Sequence, residues 1–180
     1  MTMKLKLILL LLILILPVTT FAKDLTLTNA PTQVYFSPMG GCTEAIVTAL
    51  EKARSEVLVQ AYSFTSKDIA KALVDAQKRG VHVEIILDKS NRNKKGKYSA
   101  ADFTAHMGIP TFIDAEHVIA HNKVMIIDKD VVVTGSFNFT RAAENNNAEN
   151  LIIIQSKELA KIYRDNWYIH QRHSSTYEGR

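Results

Sequence analysis

The 180-residue sequence contains a single cysteine, Cys42. One cysteine excludes an intrachain disulfide and a zinc site built from cysteines. Cys42 precedes the helical pattern TEAIVTAL, so we expect it to pack as a small apolar side chain. A reactive or intermolecular thiol is the alternative. Internal repeats, low-complexity tracts and linkers are also missing from the sequence, which therefore predicts a single domain.

Long apolar runs are missing except at the N-terminus, where one covers residues 7–16. Two lysines precede this run, and the tripeptide TFA, which ends at Ala22, follows it. A basic segment, an apolar run shorter than a membrane span and a small-x-small site are typical of a cleaved signal peptide. An uncleaved membrane anchor is the alternative. We predict that residues 1–22 are removed and that residues 23–180 are exported, either to the periplasm or out of the cell.

Strand-like and helix-like segments alternate along the rest of the chain. Helical patterns are TEAIVTALEKAR, TSKDIAKALVDAQKRG, SAADFTAHMG and SKELAKIYRDNWYIHQRH, and strand-like segments are TQVYFSP, EVLVQAYSF, VHVEIILD, PTFID and ENLIIIQS. The second helix has a capping box from Thr65 to Asp68 and a stop at Gly80. This alternation predicts an α/β fold in one domain, with a mixed β-sheet flanked by helices on both faces.

The stretch HNKVMIIDKDVVVTGSFN is apolar in its middle and polar at both ends. Its composition predicts an antiparallel hairpin, in which His121 and Lys123 share a face because strand side chains alternate. If a two-residue Lys-Asp loop joins the strands, Lys123 lies opposite Ser136 and His121 lies opposite Asn138. This register is an assumption, since Lys-Asp is not a favoured hairpin turn. It predicts that the four polar side chains meet at the open end of the hairpin.

Such a patch has the chemistry of a phosphate site. Ammonium, amide and hydroxyl groups donate hydrogen bonds to anions, Gly135 permits close approach of the backbone, and SFNFTRAAE can begin a helical turn whose N–H groups face phosphate. The imidazole of His121 can act as a nucleophile or as a general acid and base. Glu149 is a candidate to orient it. Asp128 can simply begin the turn, which is a structural role.

The spacing HxKx4Dx6GSxN, which begins at His121, resembles the full signature of the phospholipase D superfamily. Over most of residues 30–170 the chain is similar to the family's small secreted bacterial nucleases. The resemblance implies a two-step hydrolysis of phosphodiesters without a metal or another cofactor. In the first step one histidine attacks phosphorus to give a phosphohistidine. In the second step another histidine, which has protonated the leaving oxygen, activates water.

The resemblance also implies roles for the other motif residues. Lys123 and Asn138 would hold the non-bridging oxygens of the phosphate, with Ser136 nearby. Glu149 would orient the nucleophile, and Asp128 would support the site without touching the substrate.

The mechanism needs two histidines in this setting, and the chain has one such motif. We expect the other histidines to be surface or packing residues: His82, His106, His117, His170 and His173. A symmetric homodimer would supply the second His121, as it does in the family's single-motif members. No carboxylate cluster or His/Cys ligand set accompanies the motif in the sequence, which agrees with a reaction that uses no metal.

A basic segment follows the third strand, with Lys89, Arg92, Lys94, Lys95 and Lys97. It is either a solvated loop or a segment that binds the phosphates of a polyanion, with Lys94, Lys95 and Lys97 in contact with the substrate.

Three functions fit the sequence. The first is a non-specific nuclease for DNA or RNA, favoured by the small size and the basic segment. The second is a phospholipase D that acts on phospholipid headgroups, which an apolar surface loop near the site would favour; MGIPTFI is the one candidate for such a loop. The third is a protein that binds nucleic acid or anionic lipid without catalysis, against which the intact motif argues.

Overall fold

A computed structural model describes residues 22–92 and 100–180. The predicted signal peptide, apart from its last residue, and the three substrate-binding lysines Lys94, Lys95 and Lys97 lie outside the described residues, so these assignments stay predictions. None of the helices in the described ranges is long and apolar enough to cross a membrane.

Eight strands and five α-helices alternate through the described residues. The strands are β1 (Thr32–Ser37), β2 (Glu56–Ala61), β3 (His82–Asp88), β4 (Thr111–Asp114), β5 (Lys123–Ile127), β6 (Val131–Gly135), β7 (Glu149–Gln155) and β8 (Ser175–Thr176). The helices are α1 (Cys42–Lys52), α2 (Lys67–Lys78), α3 (Ala100–His106), α4 (Arg141–Asn145) and α5 (Lys157–His173). Each predicted segment is present, including the helical turn predicted in SFNFTRAAE, which is α4; β8 is an additional element.

All eight strands form one sheet in the order β1-β7-β6-β5-β2-β3-β4-β8. The pairs β2–β3 and β3–β4 are parallel, and the other pairs are antiparallel, which confirms the predicted mixed sheet. These directions bring the carboxyl ends of β1, β2, β3, β4 and β6 to the same edge as the amino ends of β5 and β7. We call this edge the site edge, because every motif residue except Asp128 lies along it.

Helices cover both faces of the sheet, as predicted. Apolar residues of α1, α2 and α3 pack on one face, and Trp167 of α5 anchors a smaller cluster on the other. The indole Nε1 of Trp167 also donates to the carbonyl oxygen of Val59 at 2.9 Å. Strand β2, at the centre, is buried at every position, as its apolar sequence indicates. Full burial of an aliphatic side chain contributes about 1.5–3 kcal/mol, so this central packing dominates the stability of the sheet.

The start of α2 differs from the predicted capping box by one residue. Ser66, rather than Thr65, is the N-cap, and its side chain accepts from the backbone N–H of Ile69. A hydroxyl at either position can bond the first turn, so sequence alone leaves a choice of one residue. The predicted stop is confirmed: Gly80 follows the helix with a φ of 92°, a conformation that glycine adopts without strain.

The predicted hairpin exists, but its predicted register is wrong. Ile127 pairs with Val131, so three residues rather than two connect β5 to β6. The first two of these, Asp128 and Lys129, have positive φ values of 54° and 60°. The extra residue shifts every cross-strand pair by one position, and Lys123 therefore does not lie opposite Ser136.

Candidate active site

Lys123 begins β5 and is buried on the sheet face that carries α1 and α2. Its side chain is 7% exposed, and Nζ donates to the carbonyl oxygen of His121 at 3.0 Å. The same Nζ lies 5.2 Å from the ring centroid of Tyr62, within range of a cation–π contact. Burial lowers the pKa of Lys123, and the negative charge of Glu149 offsets part of this shift. An ammonium group this far from water is costly unless it meets an anion.

His121 lies just outside β5 and is exposed at the site edge. Its ring packs against Tyr62, with ring centroids 4.6 Å apart and planes inclined by 57°. In the described part of the chain, neither ring nitrogen of His121 has a hydrogen-bond partner. The backbone just before His121 is held in place, because the N–H of Ala120 donates to the buried carboxylate of Asp88 at 2.8 Å. The ring is therefore positioned, and both of its nitrogens face solvent or a ligand.

Tyr62 is a site residue that the sequence did not indicate. It follows β2, and its backbone is fixed by bonds from its N–H to the oxygen of Asn122 and from the amide of Asn91 to its own oxygen, each 2.8 Å long. The ring contacts both His121 and Lys123. Tyr62 stands 59 residues before the motif histidine, and only the pairing of β2 with β5 brings it there.

Ser136 and Glu149 form a pair that the sequence did not predict. The hydroxyl of Ser136 donates to Glu149 Oε2 at 2.6 Å and accepts from the backbone N–H of Asn150 at 3.0 Å. Asn147 donates to the other carboxylate oxygen at 3.1 Å. A hydroxyl has one proton, so Ser136 cannot donate to a bound phosphate while it donates to Glu149; its predicted role at the site stays a prediction.

Within one chain Glu149 does not contact His121 through a hydrogen bond, so the predicted orientation of His121 by Glu149 stays a prediction. Both oxygens of Glu149 are engaged by the side chains described above, and no hydrogen bond joins Glu149 to His121 among the described residues. Glu149 instead acts on the site through its charge, which favours the protonated form of Lys123.

Gly135 and Asn138 occupy the strand end beside this pair. Gly135 has a φ of 147°, and a Cβ there would lie 2.3 Å from the backbone oxygen of Asn150. The close approach that requires glycine is therefore between β6 and β7. The Oδ1 atom of Asn138 is buried, without a hydrogen-bond partner among the described residues. Such an amide favours a ligand, or a rotation that directs its NH₂ group inward.

Helix α4 follows Asn138, as the sequence suggested. It begins after Thr140, whose side chain accepts from the N–H of Ala143. One N–H group of the first turn is therefore already bonded, and the approach of the others to phosphate stays a prediction.

Asp128 lies at the opposite end of β5 from Lys123, about 17 Å away at the usual rise of a strand. Its carboxylate accepts from the backbone N–H groups of Arg54, Ser55 and Glu56, at 2.7–3.1 Å. Asp128 belongs to the signature, but the structure assigns it to the turn and not to the catalytic patch.

The histidines outside the motif differ in how they meet expectation. His82 is an exposed residue, as predicted, and its side chain is paired with that of Glu84. His117, His170 and His173 instead converge on the buried carboxylate of Asp114 at the site edge. The expectation that no His ligand set accompanies the motif is therefore wrong, since folding assembles one from two separate segments.

Comparisons with known proteins agree with this geometry. Residues 46–168 match the family model described as cardiolipin synthase, PLD-like domain. A protein named phospholipase D from Rickettsia typhi is 46% identical over 142 residues, which cover 79% of this chain and 69% of that protein. The mouse protein named mitochondrial cardiolipin hydrolase is 30% identical over 158 residues, covering 81% of this chain and 71% of its own.

A solved structure supports the same assignment. Nuc from Salmonella typhimurium, described as a phospholipase D family member, superposes with a TM-score of 0.78 and 39% identity. The superposition covers 83% of this chain and 99% of Nuc. The family match extends over more than half of the chain and includes both His121 and the strand that begins with Lys123. The chain therefore belongs to the phospholipase D superfamily of phosphodiester hydrolases.

Proposed function

We propose that this protein is an exported nuclease that hydrolyses phosphodiester bonds of DNA or RNA without a metal ion and through a phosphohistidine on His121. The observation that carries the proposal is the contrast between two neighbouring side chains. His121 is exposed, with no hydrogen bond from its ring nitrogens to any described residue, and the ammonium group of the buried Lys123 lies 3.0 Å from its carbonyl oxygen. A nucleophile in front of an anion-binding charge suits attack on a phosphodiester.

In the first step a ring nitrogen of His121 attacks phosphorus, and the bond from phosphorus to the leaving oxygen breaks. Lys123 and the amide of Asn138 hold the non-bridging oxygens, where negative charge develops. A second imidazole protonates the leaving oxygen. The same imidazole then takes a proton from water, which attacks phosphorus and releases His121.

A symmetric homodimer would supply the second imidazole. One ring cannot attack phosphorus and protonate the oxygen on its opposite side. Within the described residues, His121 is the one histidine that neighbours a buried lysine. Its exposed position at the site edge leaves room for a two-fold axis, across which two copies would enclose one phosphate.

Charge favours a polyanionic substrate. The whole chain carries a formal charge of +4, and residues 23–180, which lack the two lysines of the predicted signal peptide, carry +2 from 20 basic and 18 acidic residues. Lys89 and Arg92 are exposed directly after β3, whose carboxyl end lies on the site edge. They lead into the segment with Lys94, Lys95 and Lys97. Replacing these three lysines with glutamine should weaken binding of long duplex DNA and reduce the salt dependence by about 0.9 per lost phosphate contact.

The decisive experiment compares His121→Ala with the matched control His82→Ala on plasmid DNA in the presence of EDTA. His121→Ala should lose at least about 10³-fold in rate, because its covalent and acid–base roles both vanish. The control should keep wild-type activity, since His82 is a surface residue. A His121→Ala variant that keeps a tenth of the activity would show that the nucleophile lies elsewhere.

Subunit mixing tests the dimer. Wild-type chains exchanged with an excess of His121→Ala chains should lose activity beyond simple dilution, since each mixed dimer holds one imidazole. A protein that sediments as a monomer at assay concentration while fully active would contradict the composite site.

A second candidate, hydrolysis of phospholipid headgroups, is favoured by one observation. Val118 and Ile119 are 87% and 53% exposed in the loop just before His121. By contrast, Ile109 of the predicted apolar loop MGIPTFI is only 2% exposed. Exposed aliphatic side chains beside a phosphodiester site can enter a lipid surface. Val118→Ser with Ile119→Ser should slow hydrolysis of phosphatidylcholine vesicles while leaving plasmid cleavage unchanged; equal activity on vesicles would count against this candidate.

A further inference from the structure

The cluster at the end of β4 has an ordered geometry. Asp114 ends β4, and His117 follows in the next loop. His170 and His173 lie in the last turn of α5, three residues apart and thus on one face of the helix. The oxygen Oδ2 of Asp114 lies 2.8 Å from His170 Nδ1, 3.1 Å from His117 Nδ1 and 3.3 Å from His173 Nε2. The strand pairing of β8 with β4 keeps the end of α5 beside Asp114.

Hydrogen bonds alone account poorly for this arrangement. The side chain of Asp114 is fully buried, and its other oxygen, Oδ1, accepts from the N–H of Glu116 at 3.1 Å and lies 3.2 Å from His117 Nδ1. Three ring nitrogens nevertheless lie within 3.3 Å of Oδ2, which has two lone pairs. The carboxylate thus faces three groups that can all be metal ligands.

We propose that these four residues bind one divalent transition-metal ion, with zinc as the preferred ion. One ligand atom from each residue lies within 4.8 Å of all the others. Tetrahedral zinc with bonds of 2.0–2.2 Å places its ligand atoms about 3.4 Å apart. A small movement of the imidazole rings towards one another therefore completes the site. Three imidazoles and a carboxylate suit zinc better than calcium or magnesium, which prefer oxygen.

The surroundings also favour a cation. The site lies at the C-terminal end of α5, where the helix dipole is negative. Four protein ligands fill the coordination of zinc and leave no open position for water, which is the pattern of a structural site. The ion would join β4, α5 and the loop that leads to His121, four residues beyond His117. The site is separate from the catalytic patch and does not depend on the proposed substrate.

The test uses the untagged full-length protein, stripped with EDTA, dialysed and titrated with zinc against a chromophoric chelator. Wild type should bind about one zinc per chain. His117→Gln and His173→Gln should each weaken binding by at least about tenfold, since loss even of groups that only support a metal ligand costs 10–100-fold. Both side chains are partly exposed, so these variants should still fold, which far-ultraviolet circular dichroism checks. His82→Gln is the matched control and should bind zinc as wild type does.

Two further measurements make the result decisive. Cobalt in place of zinc should give the intense visible absorption of a four-coordinate ion in wild type and His82→Gln, and lose it in His173→Gln. Zinc at about 100 times its Kd should raise the Tm of wild type by roughly 5–10 °C, and the same zinc concentration should give about half of this shift or less in His173→Gln. The proposal is overturned if wild type binds no stoichiometric zinc, or if His117→Gln and His173→Gln bind it as tightly as wild type.

Discussion

Replacement of Asp128 should destabilise the fold rather than stop the chemistry of the protein, although Asp128 belongs to the signature that contains His121. The carboxylate bonds three consecutive backbone N–H groups, those of Arg54, Ser55 and Glu56, and the hydroxyl of Ser55. These bonds join the turn after β5 to the start of β2, the central strand. They also support two residues with positive φ, which the turn cannot hold cheaply without them.

The magnitude follows from the number of donors that lose their acceptor. Hydrogen bonds to a charged group contribute about 1.5–3 kcal/mol each when buried. Arg54 and Ser55 are exposed, so water replaces part of what is lost, and about 1 kcal/mol for each backbone donor is the appropriate value here. Asp128→Ala should thus lower the free energy of unfolding by about 3 kcal/mol, which corresponds to a fall of roughly 6–12 °C in Tm for a chain of this size. Asp128→Asn keeps one acceptor oxygen and should lose about half as much.

This stability should also depend on pH in a defined direction. Burial acts to raise the pKa of Asp128, but the hydrogen bonds from Ser55, Glu56 and Arg54 outweigh it, so the pKa lies below its ordinary value. A carboxyl with a lowered pKa stabilises the fold above its unfolded pKa, about 3.9, and loses this effect as the pH falls through the folded value. The difference in stability between wild type and Asp128→Asn should therefore be constant near neutrality and shrink below about pH 4.

The assay combines denaturant unfolding with kinetics on a small chromogenic phosphodiester at a temperature where all variants are folded. Asp128→Asn should keep kcat within a few-fold of wild type. Asp130→Asn is the matched control in the same turn: Asp130 accepts one side-chain bond, from Gln155 at 2.7 Å, and its loss should cost less than about 1 kcal/mol. A stable Asp128→Asn variant that has lost about 100-fold or more in kcat would refute this reasoning, because it would place the carboxylate in the chemistry.

Three further outcomes are expected. Burial, with the charges of Glu144 and Glu149, raises the pKa of Cys42 to about 11 from 9.0, so iodoacetamide at pH 8 should modify the folded protein at least about 100-fold more slowly than the unfolded chain, as followed by mass spectrometry. Burial lowers the pKa of Lys123 from its ordinary value of 10.5, so the fall in kcat/KM at alkaline pH should begin below pH 10.5, because the neutral amine no longer holds phosphate. A kcat/KM that stays constant in this pH range would contradict this role. Gly135→Ala places a methyl group against a backbone oxygen at a φ of 147° and should lower stability by about 2 kcal/mol or more, whereas Gly80→Ala, with no neighbour within 4 Å of the added carbon, should lose only about 1 kcal/mol in thermal melts.

Local patterns in the sequence were sufficient for the elements of the fold but not for the register of the hairpin. Apolar periodicity located every strand from β1 to β7, because alternation and burial act over a few neighbouring residues. The register of β5 and β6 depends on Asp128, whose partners lie more than seventy positions earlier in the chain. A long-range contact thus fixes a local turn, and the dipeptide Lys-Asp carries no sign of it.

The contacts of the site also divide into those that local sequence could predict and those that depend on long-range packing. His121 and Lys123 are two residues apart, so their proximity could be predicted from the motif alone. The bond from Ser136 to Glu149 could not, because it depends on the exact approach of β6 to β7 at Gly135. The cluster around Asp114 carried a signal that was present but ambiguous: DAEH and HQRH each place two of its members three positions apart. Either pair alone is common on a protein surface, and only the packing of α5 against β4 joins them.

The loop between β4 and β5 explains how an exposed histidine can still be held in place. It is bound at three successive points: His117 to Asp114, the N–H of Ala120 to Asp88, and the carbonyl oxygen of His121 to Lys123. Each of the partners ends or begins a buried strand, so the loop takes its position from the sheet and not from its own sequence. This leaves the imidazole without a hydrogen bond to any of the described residues, because the backbone around it carries the attachment. If His121 is the nucleophile that we propose, the arrangement suits its role, since no such hydrogen bond has to be broken when the ring bonds phosphorus or releases it.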